Sequence, residues 1–205
     1  MKNRIQETQR SRNLRVLKKN VYISCEGDTE EAYLLGLKKQ FSSKANIKIS
    51  NSKKTAAKDV VKNLITKYKA EYNKNDLKYC IFDCDENTDE DLINAKKLAD
   101  KAGIQIIFSN PCFEIWLLWH YETTFSVQES REKLKKQIEK LTRANYWTCK
   151  DSPNLYELTK ENFLNAQMNC CQRKEELIKD DIPTYSRESN PYSNFDKLYD
   201  DLVKL

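Results

Sequence analysis

Histidine occurs once in this chain, methionine twice and glycine three times. A lone histidine, with Cys80 and Cys84 four positions apart and Cys170 beside Cys171, leaves a zinc site without paired CxxC ligands. No apolar run approaches the roughly eighteen residues that a membrane-crossing helix needs. Met1 to Lys19 is polar and basic, unlike a secretory signal, and the seven cysteines are odd in number and irregularly spaced. The expectation is therefore a protein of the reduced cytoplasm. Cys25, Cys80 and Cys112, in or beside apolar runs, are read as small buried hydrophobes. Internal repeats and low-complexity linkers are absent too, which argues for a single domain over the 205 residues.

Charge excludes little. Lys and Arg number 36 against 31 Asp and Glu, a net +5 that permits a polyanionic partner without requiring one. Residues 1–20 form a basic arm, with Arg4, Arg10, Arg12, Arg15, Lys18 and Lys19. It is read as a solvated terminus rather than a phosphate-binding element.

The most informative stretch is Lys78-Tyr79-Cys80-Ile81-Phe82-Asp83-Cys84-Asp85-Glu86, an apolar run short enough for a buried strand that ends in two aspartates one residue apart. Residues i and i+2 of a strand share a face, so Asp83 and Asp85 would present two carboxylates together. Such a pair repels unless something positive stands between the two, and a hard divalent cation with oxygen ligands fits that need.

The same pattern recurs earlier. Val21 to Cys25 reads as a strand and ends in Glu26-Gly27-Asp28-Thr29-Glu30-Glu31, where Gly27 falls at the turn into a helix. Asp28 and Glu31 have capping-box spacing. Glu26 and Glu30 can approach one point, and beside the downstream aspartates a shared metal site is preferred over a decorated helix N-terminus.

Ile47 to Ser50 is a short second strand, followed by Lys53 and Lys54 as candidate phosphate contacts and by a helix over 56–72. Thr88 to Asp91 starts a further helix that Gly103 closes. Ile104 to Phe108 is a fourth, almost wholly apolar strand. Strands alternating with helices predict a mostly parallel, four-stranded α/β sheet, whose ligand crevice lies beyond the carboxyl ends of its strands. Glu26, Asp83, Asp85 and Ser109 all fall there.

Next comes Ser109-Asn110-Pro111-Cys112-Phe113-Glu114-Ile115-Trp116-Leu117-Leu118-Trp119-His120. Pro111 is placed to open a buried helix. Glu114 in its first turn then needs a partner, whether metal, lysine or backbone NH. His120 is either a hydrogen-bonded packing residue or a general base. Residues 123–205 read as a helical extension packed on the core, with helices over 127–141, over 154–178 with a possible break, and over 195–205. The link from Arg143 to Lys150, with Tyr146 and Trp147, suits base stacking and loop packing equally.

Together, Glu26-Gly27-x-x-Glu30 and Asp83-x-Asp85 resemble the Toprim metal site found in topoisomerases, primases and OLD-family nucleases. Ile23 to Tyr33, Phe82 to Asp85 and Ser109 to His120 look more closely like the RloB-like family. These are compact Toprim-like proteins often encoded beside an ABC-type ATPase in phage-defence loci, and Asn190-Pro191 before a final helix fits their ending. The resemblance covers most of the chain, and its most specific part is the segment from Ser109 to His120.

It implies a Toprim-like, Rossmannoid core over residues 21–122 and Mg²⁺- or Mn²⁺-dependent cleavage of RNA (tRNA in related systems) or DNA. Glu26, Glu30, Asp83 and Asp85 would be the metal ligands. Glu114 and His120 join Glu26, Asp83 and Asp85 as catalytic candidates, and Ser109, Asn110, Lys53 and Lys54 as substrate contacts. A non-catalytic binding subunit of the ATPase is the alternative, and primase-type polymerisation is disfavoured for want of room for a partner domain.

Overall fold

The computed structural model describes residues 18–73, 75–84, 87–146 and 154–205. Four strands with the expected rhythm, β1 (Lys19–Cys25), β2 (Ala45–Asn51), β3 (Leu77–Asp83) and β4 (Gln105–Asn110), are linked by α1 (Asp28–Gln40), α2 (Ala57–Tyr68) and α3 (Asp89–Ala102). All four pair in parallel, in the order β2-β1-β3-β4. The chain continues through α4 (Glu114–Leu118), α5 (Arg131–Thr142), α6 (Asn154–Thr159) and α7 (Phe163–Lys179) to β5 (Tyr192–Ser193) and α8 (Asp196–Val203).

β5 corrects the four-stranded expectation. It adds antiparallel to β4, pairing Ser109 with Ser193 and Asn110 with Tyr192. Two residues carry no readable alternation, so only long-range pairing shows this strand. Asn194 prolongs it with a side chain: its Oδ1 accepts from the Phe108 N–H at 2.7 Å and its Nδ2 donates to the Ile106 carbonyl at 3.2 Å.

Strand alternation sorts the core into two clusters. Val21, Ile23, Tyr79, Ile81 and Ile107 face one side, where α1, α4, α5 and residues of α6, α7 and α8 bury Leu34, Trp116, Leu134, Tyr156, Ala166 and Leu198. Tyr22, Cys80, Phe82 and Phe108 face the other, against Val60 and Leu64 of α2 and Leu92 and Ala95 of α3. The C-terminal helices thus share a hydrophobic core with the sheet. No described helix is long and apolar enough to cross a membrane.

Thr88 and Asp91 form a reciprocal capping box on α3, and Gly103 closes that helix in the left-handed region at φ 62°. Asp28 and Glu31 form none. Gly27 is the N-cap of α1, and both carboxylates instead accept hydrogen bonds from Asn51 Nδ2 at the end of β2. Asn110–Pro111 is a cis bond, and α4 opens only at Glu114. α5 begins at Arg131 because Ser130 caps it, while Asn190 holds the main chain of Gln128 through both its N–H and its carbonyl.

Gly36 marks the closest helix approach: a Cβ there would stand 2.4 Å from Cβ of Tyr156 on α6. Alanine favours a helix interior by about 1 kcal/mol over glycine, but this clash is with an atom next to the backbone and cannot be relieved by rotation. Gly36→Ala is expected to destabilise the fold by roughly 1–3 kcal/mol, read as a lower midpoint in urea; a higher midpoint would refute the close-packing argument.

Candidate metal and phosphate site

Four carboxylates are buried at the carboxyl edge of the sheet: Glu26, Glu30, Asp83 and Glu114, none more than 8% exposed. Each arrives by a different route. Glu26 follows β1, Asp83 is the last residue of β3, Glu30 lies in the first turn of α1, and Glu114 opens α4. The helix N-terminus favours the negative charge of Glu30. Gly27 has an extended backbone that any residue adopts, so its smallness serves the neighbouring acid: a Cβ there would lie 3.2 Å from Glu30 Oε2.

Direct bonds join these elements. Glu26 Oε2 accepts the main-chain N–H of Asp83 at 3.1 Å, tying the ends of β1 and β3. Asn87 Nδ2 donates to the Asp83 carbonyl, and Asn87 Oδ1 accepts the N–H of Ala57 at the start of α2. Arg131 Nη2 donates to Asp83 Oδ2 at 2.8 Å, while its Nε lies 3.8 Å from Glu114 Oε2. The hydroxyl of Tyr146 donates to Glu114 Oε1 at 2.8 Å, with Lys135 Nζ 3.7 Å from the same oxygen. Asp83 Oδ1 is buried with no hydrogen-bond partner.

Burial, with the carboxylates of Glu30 and Glu26, pushes the Asp83 carboxyl well above its ordinary range, against the pull of Arg131. The thiol of Cys112, buried beside Glu114 and Asp83, is pushed up as well.

Of the residues singled out from the sequence, Glu26, Glu30, Asp83 and Glu114 are brought together. Asp85 lies outside the described residues, as do Trp147 and Lys150. Ser109 and Asn110 are at the right edge but turned to structural use. Ser109 Oγ meets Ser193 Oγ at 3.3 Å, and Asn110 Nδ2 donates to the carbonyls of Ser186 and Arg187 and to Ser189 Oγ. Both are almost wholly buried, so this arrangement offers neither to a substrate. Lys53 and Lys54 are exposed in the β2–α2 link, which Asn87 joins to the β3 end through the Thr55 carbonyl.

His120 is not part of the cluster. It lies fully buried against Trp116 and Phe163, and its Nδ1 donates to the Trp116 carbonyl at 2.8 Å. Burial pushes its pKa down to about 4, so the ring is neutral at physiological pH.

Tyr146, expected from the sequence to stack on bases or pack in a loop, bonds Glu114 instead, and Arg131 and Lys135 carry no expectation from the sequence. The available signal was the i, i+4 spacing of Arg131 and Lys135, with Lys135 directly beside the apolar Leu134 of an otherwise solvated helix.

The donor set suits a hard divalent cation: carboxylate oxygens, one of them buried and unpartnered. Among the described residues, however, no three His, Cys, Asp or Glu groups converge on one ion.

Two titrations follow, with opposite signs. The Asp83 pKa is raised on folding, so its favourable contribution is complete below the unfolded value and lost as pH rises through the folded one. In chelator at pH 7, Asp83→Asn is therefore expected to melt higher than wild type, with the gain vanishing near pH 3.5; an equal or lower melting point at pH 7 would refute this. The His120 pKa is lowered from 6.5 to about 4, so its contribution is complete above pH 6.5 and lost as pH falls through 4. His120→Leu is expected to flatten the acid limb of stability against pH over that window, by on the order of 3 kcal/mol.

No curated protein and no solved structure gives a significant match to the chain. A family model, that of the RloB-like protein, matches residues 21–202. The matched stretch runs from β1 into α8 and takes in every carboxylate of the cluster together with Arg131 and Lys135, and the chain belongs to the RloB-like family.

Proposed function

We propose that this protein is a metal-dependent nuclease of Toprim type, acting on RNA or DNA in antiphage defence. The observation that carries the reading is the burial of four carboxylates, brought by β1, β3, α1 and α4 to the edge of a parallel sheet where ligands of such folds bind. Glu26, Glu30 and Asp83 would hold Mg²⁺ or Mn²⁺, with Asp85 added by its resemblance to the Toprim pattern. A bound ion of this kind neutralises phosphate charge and makes water a better nucleophile at neutral pH.

The chain's own residues supply the rest. Glu26 fixes the main chain of Asp83, so the two acids keep a set separation. Tyr146 and Lys135 hold Glu114 in place from the side of α5 and the residues after it. Arg131 and Lys135 give the site a cationic rim able to take phosphate oxygens, and Lys53 and Lys54 extend positive charge along the same edge.

The Asp83–Arg131 pair favours a second reading, in which the carboxylates are structural and the chain is a regulatory subunit that docks on an ABC-type ATPase without cutting. Cleavage of end-labelled RNA and single-stranded DNA in Mg²⁺ and in Mn²⁺, with that ATPase where one is encoded alongside, separates the two. Cleavage is expected to be abolished by chelator and lowered at least about 100-fold by Glu26→Gln and by Asp83→Asn, both folded, as removal of a group essential to the chemistry implies. Absence of cleavage by wild type under all these conditions would leave the regulatory reading.

A further inference from the structure

We infer that Arg131 is a built-in counter-cation of the carboxylate cluster, which a divalent ion must displace from Asp83, so that this one side chain sets the metal affinity of the site. The inference rests on the metal-dependent reading above. A single guanidinium reaches two carboxylates from different elements, Asp83 of β3 at 2.8 Å and Glu114 of α4 at 3.8 Å. Among the described residues these acids do not converge closely enough with a third to grip one ion, and Arg131 lies against both.

Three features make the guanidinium exchangeable. Arg131 is the first residue of α5, where the helix dipole disfavours a cation, so the carboxylates hold it there and the helix does not. Its side chain is 35% exposed while that of Asp83 is 2% exposed, so it enters from the solvent side and has water to return to. It satisfies only one oxygen of Asp83: Oδ1 remains buried and unpartnered, a costly state that a cation bound among Glu26, Glu30 and Asp83 relieves. Lys135 Nζ lies 3.7 Å from Glu114 Oε1, on the Glu114 side of the cluster.

The test is Mn²⁺ and Mg²⁺ titration by calorimetry on the full chain, wild type and Arg131→Gln, with melting curves in chelator. Arg131→Gln is expected to melt lower without metal, because it leaves Asp83 unpaired. It is also expected to bind Mn²⁺ at least about ten-fold tighter, the effect of one unit charge on a dication some 6 Å away even at the dielectric of water. Unchanged or weaker Mn²⁺ binding by the variant, with wild type still binding, overturns the counter-cation role and leaves the metal site standing. No binding by either protein, with no cleavage, overturns the metal reading and this inference with it. Should Arg131→Gln not fold, the Nε–H resonance of Arg131 in wild type is followed by NMR during Mg²⁺ titration. A shift that saturates with the ion supports displacement, and a resonance unmoved at saturating Mg²⁺ overturns it.

Discussion

Like charges packed out of water at the edge of the sheet are the constraint on which this architecture turns. Two carboxylates about 4 Å apart at a protein-like dielectric repel by about 4 kcal/mol, and four of them are held here by elements distant in the chain. Arg131 offsets part of that repulsion at Asp83, and Tyr146 with Lys135 does so at Glu114. The residual cost appears as the upward push on the Asp83 carboxyl. Stability is given up at the place where chemistry is expected, which is how functional sites commonly differ from their scaffolds.

What keeps the acids in place is mostly uncharged. Asn51, Asn87, Asn110 and Asn190 each carry a side-chain amide that bonds a second segment, to α1, to the α2 start, to residues 186–189 and to Gln128 respectively. An amide offers donor and acceptor at once and adds no net charge. Loops around the cluster are thereby fixed without altering the field inside it, which a set of lysine or aspartate links would do.

Much of this was legible in the sequence, because apolar runs that end in acids announce both a buried strand and an expensive terminus. β1 and β3, with Glu26 and Asp83 at their ends, follow from that pattern, while Glu30 and Glu114 are placed by the helices that start just beyond β1 and β4. The partners of those acids do not follow from the pattern. Arg131 and Lys135 sit on α5, whose composition reads as a solvated helix, and nothing local ties that helix to β3. Ser109 and Asn110 show the same limit. Polar residues at a strand end suggest a ligand, yet their partners are residues 186–193, far along the chain. His120 shows the converse, a chemically versatile residue buried away from the carboxylates and bonded to its own helix.

The late arrival of β5 has a consequence for how the protein is made. Asn194 closes the backbone groups of β4 across 86 residues of sequence, so a growing chain completes its four parallel strands well before that edge is covered. During this interval the apolar Ile106-Ile107-Phe108 stretch is an open template for another strand, the situation that favours pairing between nascent chains. A chain released short of Asn194 would lack this cover, and with it Phe195, Leu198 and Leu202 of the core, and would be prone to associate.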